Sequence, residues 1–272
     1  MSTKSPSALA AATVVLEKSR VAVRIECPAH IPASLAQIQQ FPPLVAWLHS
    51  LDRQLAAGGN QRITVRALRI QSADVFGPGN VGFVKFAADA SDGEGHVPGV
   101  VFLRGDSVAV LLILRSADQC SEERVPSFRD ARGLAVVVEQ PRAAVPSAAL
   151  RELPAGMMDA GGVRFAAAAV RELLEETGVC VEPHELVDLT GPRPLLASPG
   201  ACDEAVALLA CEKTLHPDAI AAIAGRRAGL RAAGERTTVR LVRLCDLWAC
   251  SRDMKTVAAL ALWDRRHATG DC

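Results

Sequence analysis

The sequence predicts an α/β (α+β) sandwich, a mixed sheet with helices packed on it. Three observations carry this. Aliphatic and β-branched runs of strand length recur between Ile63 and Leu244. Segments of helical period lie among them, and the sharpest is Phe165–Thr177, stopped by Gly178. Half of the 272 residues are hydrophobic, enough for a substantial core. No uncharged apolar run reaches about 18 residues, so no membrane-spanning helix is expected.

Taken in order, residues 1–20 read as a mobile tail, rich in Ser and Ala to Leu16. Val21–Cys27 alternates as a short strand. Leu35–Ala57 has helical periodicity interrupted by Pro42-Pro43, which predicts a helix starting there and ending at Gly58-Gly59. Ile63–Ser72 and Gly82–Ala88 are strands separated by the Gly-Pro-Gly turn at 77–79. Val97–Leu103 and Ser107–Leu114, bounded by Arg104-Gly105-Asp106, are expected to pair. Asp118–Arg132 is polar and reads as a loop, and Gly133–Glu139 as a buried strand. Ala149–Leu153 is a short strand before the helix at 165–177. Glu185–Leu189, Ala205–Cys211 and Val239–Leu244 are further strands, and Pro217–Ala233 is an Ala-rich helix. Asp253–His267 carries Val257, Leu260, Ala261 and Trp263 at helical spacing, an amphipathic C-terminal helix. Trp47, Phe76 and Phe83 are candidates for pocket lining or core.

Composition narrows the function. Lys plus Arg equals Asp plus Glu at 30 each, which supplies no basic face for nucleic acid. The eight cysteines are scattered without a CxxC pair, as in reduced cytosolic proteins. Cys202 has no local His partner, which argues against a nucleophile. The six histidines form no metal-type pair. The N-terminus has no secretory apolar region, and Glu17 with few arginines argues against a transit peptide. A cytoplasmic location is expected, with organellar targeting by the tail the weaker alternative.

The chemistry is written at the end of the predicted helix. Glu172, Glu175 and Glu176 fall in one arc, one turn apart, with Ala166, Val170, Leu173 and Leu174 opposite as the core-facing stripe. Like charges so placed repel, and a hard divalent cation converts that repulsion into binding. A solvated helix face carries the same pattern, so the flanks decide. Arg171 can pair with Glu175 at i,i+4, and Leu153-Pro-Ala-Gly156 is an extended segment closing on glycine.

These residues resemble the Nudix box of the Nudix hydrolases, Gly-x5-Glu-x7-Arg-Glu-U-x-Glu-Glu-x-Gly-U with U bulky and aliphatic. Arg171-Glu-Leu-Leu-Glu-Glu-Thr-Gly-Val179 fits every fixed position of its second half. The first half departs twice: fourteen residues separate Gly156 from Arg171, one more than the pattern, and Gly162 replaces its first glutamate. The resemblance extends over roughly residues 40–268. Val138-Glu-Gln-Pro-Arg142, Glu152-Leu-Pro-Ala-Gly-Met-Met-Asp159, Ala197-Ser-Pro-Gly-Ala-Cys-Asp-Glu204, Gly229–Glu235 and Val239–Val242 are similar to segments of the ADP-sugar pyrophosphatases, and the longer spacing is that of the plant-type ADP-sugar diphosphatases. Asp74–Gly77 with Gly82–Phe86 belongs to the same likeness.

The resemblance implies an α/β/α sandwich at residues 101–272, an N-terminal β-rich subdomain at 21–100 after the tail at 1–20, and a homodimer. It implies a Mg2+-dependent enzyme, with Mn2+ as substitute, cleaving an ADP-sugar such as ADP-ribose or ADP-glucose to AMP and sugar 1-phosphate. Glu172 and Glu176 are then primary metal ligands, Glu175 a third or a catalytic carboxylate, and the carbonyl of Ala155 a further ligand. Glu204 is the candidate general base with Asp203 behind it. Arg142 and the weaker Arg104 are candidate diphosphate contacts, with Glu152 supporting Arg142 or a water. The roles of Arg231 and Glu235 stay open. The alternatives are a UDP-sugar or other nucleotide diphosphatase and a non-hydrolytic nucleotide-sugar sensor, the last favoured only by Gly162.

Overall fold

The computed structural model describes residues 9–58, 63–77, 79–119, 132–158, 165–229 and 236–269. The chain divides into two compact units, Met1–Gly105 with Leu196–Glu204, and Asp106–Leu195 with Ala205–Cys272. The described part of the loop expected at 118–132 is Asp118, Gln119 and Arg132. No described helix is long and apolar enough to cross a membrane.

The first unit is built on β1 (Leu9–Val15), β2 (Ala22–Pro28), β3 (Thr64–Val75), β4 (Val81–Ser91), β5 (His96–Val97) and β6 (Val100–Leu103), ordered β1-β2-β3-β4-β5 with β6 also on β4. Residues 9–15, expected in the mobile tail, pair antiparallel with β2 from Leu9↔Pro28 to Val15↔Ala22. Between β2 and its parallel neighbour β3 run α1 (Leu35–Gln40) and α2 (Pro42–Ala57). α2 is the helix expected to start at Pro42-Pro43 and end at Gly58; the residues before it form a further short helix, α1, which ends where Phe41 is held extended ahead of Pro42 (φ −63°, ψ 115°). Ile25, Ile38, Leu44, Leu68, Phe86 and Leu103 form the core. Trp47 packs edge-on against Phe86 at 5.2 Å, whereas Phe76 is exposed and meets Phe83 at 5.1 Å.

The second unit contains β7 (Ser107–Ser116), β8 (Leu134–Arg142), β9 (Ser147–Glu152), β10 (Ala155–Met157), α3 (Phe165–Thr177), β11 (Val187–Asp188), β12 (Leu195–Leu196, at the junction), β13 (Ala205–Leu215), α4 (Pro217–Ile223), β14 (Arg227–Ala228), β15 (Thr237–Arg243), α5 (Leu247–Cys250) and α6 (Met254–Thr269). The spine of its sheet is β11-β13-β7-β8-β15-β14, with β13 parallel to β7. The expected pairing of Val97–Leu103 with Ser107–Leu114 gives way to another arrangement. β6 joins β4, and β7 becomes a central strand of the second sheet. Gly105, at φ +83°, and Asp203, which accepts from the Arg104 and Gly105 N–H groups, hold the intervening residues out of a hairpin.

Both faces of β7 are buried. Val108, Val110, Leu112 and Leu114 pack with Ala168, Ala169 and Leu173 of α3 and Ile220 and Ile223 of α4. Ala109, Leu111 and Ile113 face the other way, and α6, which packs on β7 and β13, buries Leu260 and Trp263. The unit is therefore the expected α/β/α sandwich. Helix α3 has the predicted bounds, but its core-facing arc is Ala168, Ala169, Leu173, Glu176 and Thr177, and Leu174 is 49% exposed. Helix α4 stops at Ile223, ten residues short of expectation, because Ala224 is extended and Gly225 turns the chain at φ +76° into β14.

One topological feature positions everything below. β7 and β8 pair at Ile113↔Ala135 and Leu114↔Leu134 and then part. β9 continues along β8, with Val138↔Glu152, while β10 continues along β7, with Ala155↔Ala109. Leu153-Pro154, both buried, bridge the fork, and the Pro154 carbonyl accepts from Val110 at 2.9 Å.

The outer strands are tied by charge. Glu139 on β8 accepts from Arg240 of β15 at 2.7 Å and from Arg151 of β9 at 2.9 Å. The Arg240 and then the Arg151 guanidinium hold its carboxyl below the usual Glu range. A depressed folded pKa gives stability that is present above the unfolded pKa and lost as pH falls through the folded one. Glu139→Gln is therefore expected to lower Tm by about 2–4 °C at about pH 7, the shift for roughly 1 kcal/mol in a chain of this size. In thermal melts taken down to about pH 2 the gap to wild type should close; a gap independent of pH would remove the charge explanation.

Candidate active site

The fork sets a short piece of backbone, Ala155-Gly156, beneath the C-terminal half of α3. Glu176 is 6% exposed and its Oε2 accepts from the Ala155 N–H at 3.0 Å. A buried carboxylate needs such donors. Glu172, one turn earlier, lies directly over Gly156, where an added β-carbon would collide with its carboxylate. Arg171 reaches Glu172 at 3.2 Å, where helix periodicity alone pointed to Glu175. Glu175 is half-buried, and its carbonyl accepts from Gly229 N–H at 3.4 Å. The helix end is locked: Thr177 Oγ1 donates to Leu173 O and accepts from Val179 N–H, while Gly178, at φ +72°, lies under the Arg226 guanidinium.

Glu172, Glu176 and the Ala155 carbonyl are an all-oxygen donor set, which suits a hard divalent cation. Among the described residues no three His, Cys, Asp or Glu side chains form a closed metal group. The described side chains thus offer a carboxylate pair, and Mg2+ is commonly held by one or two carboxylates with water and substrate phosphate oxygens. Gly162, Asp159, Arg231 and Glu235 lie outside the described residues.

Beside the fork, at the ends of β8 and β9, Glu152 is 5% exposed and has both oxygens engaged. Arg142 Nε donates to Oε2 at 2.7 Å and Lys255 Nζ to Oε1 at 3.3 Å. Glu152 thus holds Arg142, one of the two roles the sequence left open for it. The Arg142 side chain is 44% exposed, and its two Nη groups have no partner among the described residues. Lys255 also donates to Asp253 at 2.8 Å. Burial alone would lower its pKa, but Asp253 and then Glu152 outweigh that and hold it above the ordinary Lys value. Asp253 and Lys255 were not found from the sequence. The available signal was Asp253-x-x-Thr256 ahead of an apolar period, a helix-start pattern, and Asp253 Oδ2 does accept from Thr256 N–H at 3.2 Å.

The first unit carries the other candidates. Asp203 accepts from the backbone N–H of Arg104 at 2.8 Å and of Gly105 at 3.1 Å. Burial pushes its carboxyl above the usual Asp range even against those donors. That makes Asp203 a brace for the loop. Glu204 has 12% of its side chain exposed and pairs with Arg104 Nη1 at 3.1 Å. Arg104 Nε is buried without a hydrogen-bond partner among the described residues. Cys202, half-buried between these residues and the Phe102 backbone, is one of six described cysteines, all free thiols.

A NUDIX domain model matches residues 124–222 of the chain. The chain is 34% identical over 233 residues to Nudix hydrolase 14, chloroplastic, of Arabidopsis thaliana, covering 82% of this chain and 70% of that protein. A solved structure described as an ADP compounds hydrolase aligns at 17% identity and a TM-score of 0.45, over 76% of this chain and 97% of that one.

The contact at Gly156 yields a test. Gly156→Ala displaces the far end of a flexible glutamate rather than backbone. Its stability cost should therefore be small, within about 1 kcal/mol in a thermal or denaturant melt. Because Glu172 must move, divalent-cation affinity and turnover should each fall by about 10- to 100-fold. Unchanged cation affinity in calorimetric titration would show that the Glu172 position over Gly156 is not used.

Proposed function

The chain belongs to the Nudix hydrolases, and from that premise we propose that it hydrolyses the diphosphate linkage of a nucleoside diphosphate sugar. ADP-sugars, ADP-ribose or ADP-glucose, come first, with AMP and a sugar phosphate as products. The observation that carries the reading is the carboxylate pair Glu172 and Glu176 fixed on the backbone of β10. The preference for ADP-sugars rests on the likeness of Glu152–Asp159 and Ala197–Glu204 to that group of the family.

In this reading Glu172 and Glu176, with the Ala155 carbonyl, hold Mg2+ or Mn2+, and Glu175 stands at the edge of the pair. When bound, the cation supplies neutralisation of the diphosphate charge and activation of water. Arg142 presents its two Nη groups to phosphate oxygens, for which a planar fork is suited. Arg104, whose side chain is one-third exposed, is the weaker diphosphate candidate of the same kind. Glu204 takes the proton from the attacking water, and its ion pair with Arg104 fixes the carboxylate beforehand.

Two substitutions separate these roles. Glu176→Gln keeps an oxygen acceptor for the Ala155 N–H, so the fold should be retained while turnover falls by at least about 100-fold through loss of a charged ligand. Near-normal turnover would remove the cation site. Glu204→Gln should lower kcat by about 10²- to 10⁴-fold with KM little changed; an effect confined to KM would make Glu204 a binding residue. The reading as a whole is tested by phosphate release from ADP-ribose, ADP-glucose, UDP-glucose and NADH with Mg2+ and a coupling phosphatase. Release from UDP-glucose alone would move the base assignment, and release from none would sink the substrate class.

A further inference from the structure

We propose that Lys255, on the C-terminal helix, is a positioning residue for this reaction: through Glu152 it sets the Arg142 guanidinium that meets the substrate's diphosphate. The inference rests on the diphosphatase reading above. Its basis is a line of contacts within the second unit. Ser251 Oγ donates to the Arg151 carbonyl at 2.6 Å and accepts from Asp253 N–H at 3.2 Å, which ties the start of α6 to β9. Asp253 then holds Lys255 at 2.8 Å, Lys255 holds Glu152 at 3.3 Å, and Glu152 holds Arg142 at 2.7 Å. Asp253 and Glu152, 9% and 7% exposed, are the buried anchors of this line, and Arg142, 44% exposed, is its open end.

The geometry gives Lys255 a specific task. A carboxylate facing one guanidinium prefers to bind it through two nitrogens. Here Glu152 takes only Nε of Arg142, because its other oxygen is occupied by Lys255. Both Nη groups are thereby left for a ligand. An arginine ordered before binding loses less entropy when the ligand arrives. Without Lys255 the carboxylate is free to turn and take an Nη group for itself, so the diphosphate must compete for it.

The test uses the full chain and three variants, Lys255→Met, Lys255→Arg and Arg142→Gln. Lys255→Met keeps the volume and is expected to raise KM for the nucleotide sugar about tenfold with kcat within about twofold, the signature of lost binding. Lys255→Arg, which keeps the cation, should recover most of the loss. Combined with Arg142→Gln, Lys255→Met should add nothing further, since both act through one guanidinium. A readout independent of turnover is the Arg142 Nε–H proton in 15N NMR, assigned by its loss in Arg142→Gln. It should exchange slowly in the wild type and faster in Lys255→Met. Independent, multiplying effects on KM, or an unchanged Arg142 signal in Lys255→Met, would overturn the proposal. If the wild type turns over no nucleotide sugar and the Arg142 signal still depends on Lys255, the positioning stands and the substrate reading falls.

Discussion

The second unit depends on the parting of β7 and β8. Two strands that stayed paired would bury continuous ladder and leave no backbone for a ligand. By separating after Ile113↔Ala135, they admit β9 and β10, and a strand end enters the middle of the sheet with its hydrogen bonds made. The residue types follow from that position. Ala155 and Gly156 are small, so α3 can lie close with Glu172 over Gly156. The Ala155 N–H beneath α3 is met by Glu176. The buried carboxylate and the strand end satisfy each other, and removing either would leave an uncompensated polar group.

That pairing explains why α3 was readable in extent but not in orientation. Its period and Gly178 define Phe165–Thr177. An Ala-rich helix has no single apolar face, however, and two arcs compete. The Leu173–Leu174 arc is the more hydrophobic, yet the arc that packs inward is centred on Glu176, because β10 offers a donor there. Hydrophobicity scored the glutamates as surface, and the backbone hydrogen bond reversed the choice. The same limit applies to Asp253 and Lys255. Lys255, held by Asp253, meets Glu152 from about a hundred residues away in sequence, and no local pattern encodes such a contact. Glu172 and Glu176 stood out as one arc of a helix stopped by Gly178, and Arg142 and Glu152 entered through segments that resemble the ADP-sugar pyrophosphatases.

Elsewhere turn chemistry competes with period. Gly225 ends a helical pattern that composition would extend, whereas Pro42, read as a helix start, does begin α2. Arg104-Gly105-Asp106 has the length of a hairpin turn. It is captured by the Asp203 carboxylate, nearly a hundred residues on, and the strands either side enter different sheets. In each case the backbone found a partner or a steric limit invisible to hydrophobic alternation.

Two ion networks flank the β8–β9 ladder, and their difference shows how charge is divided between holding the fold and serving a ligand. Neighbouring residues of a strand point to opposite faces, so Arg151 and Glu152 sort their partners to opposite faces. On one, Glu139 takes the bidentate Arg240 and Arg151 Nε, so its acceptor capacity is spent on three strands of protein. On the other, Glu152 takes one Arg through Nε and one Lys through Nζ. An ammonium is a point donor that needs one oxygen, so Lys255 takes Oε1 while Arg142 Nε keeps Oε2. The choice of lysine at 255 therefore keeps Glu152 neutralised and Arg142 singly tied, which leaves the outer edge of that guanidinium to an incoming anion.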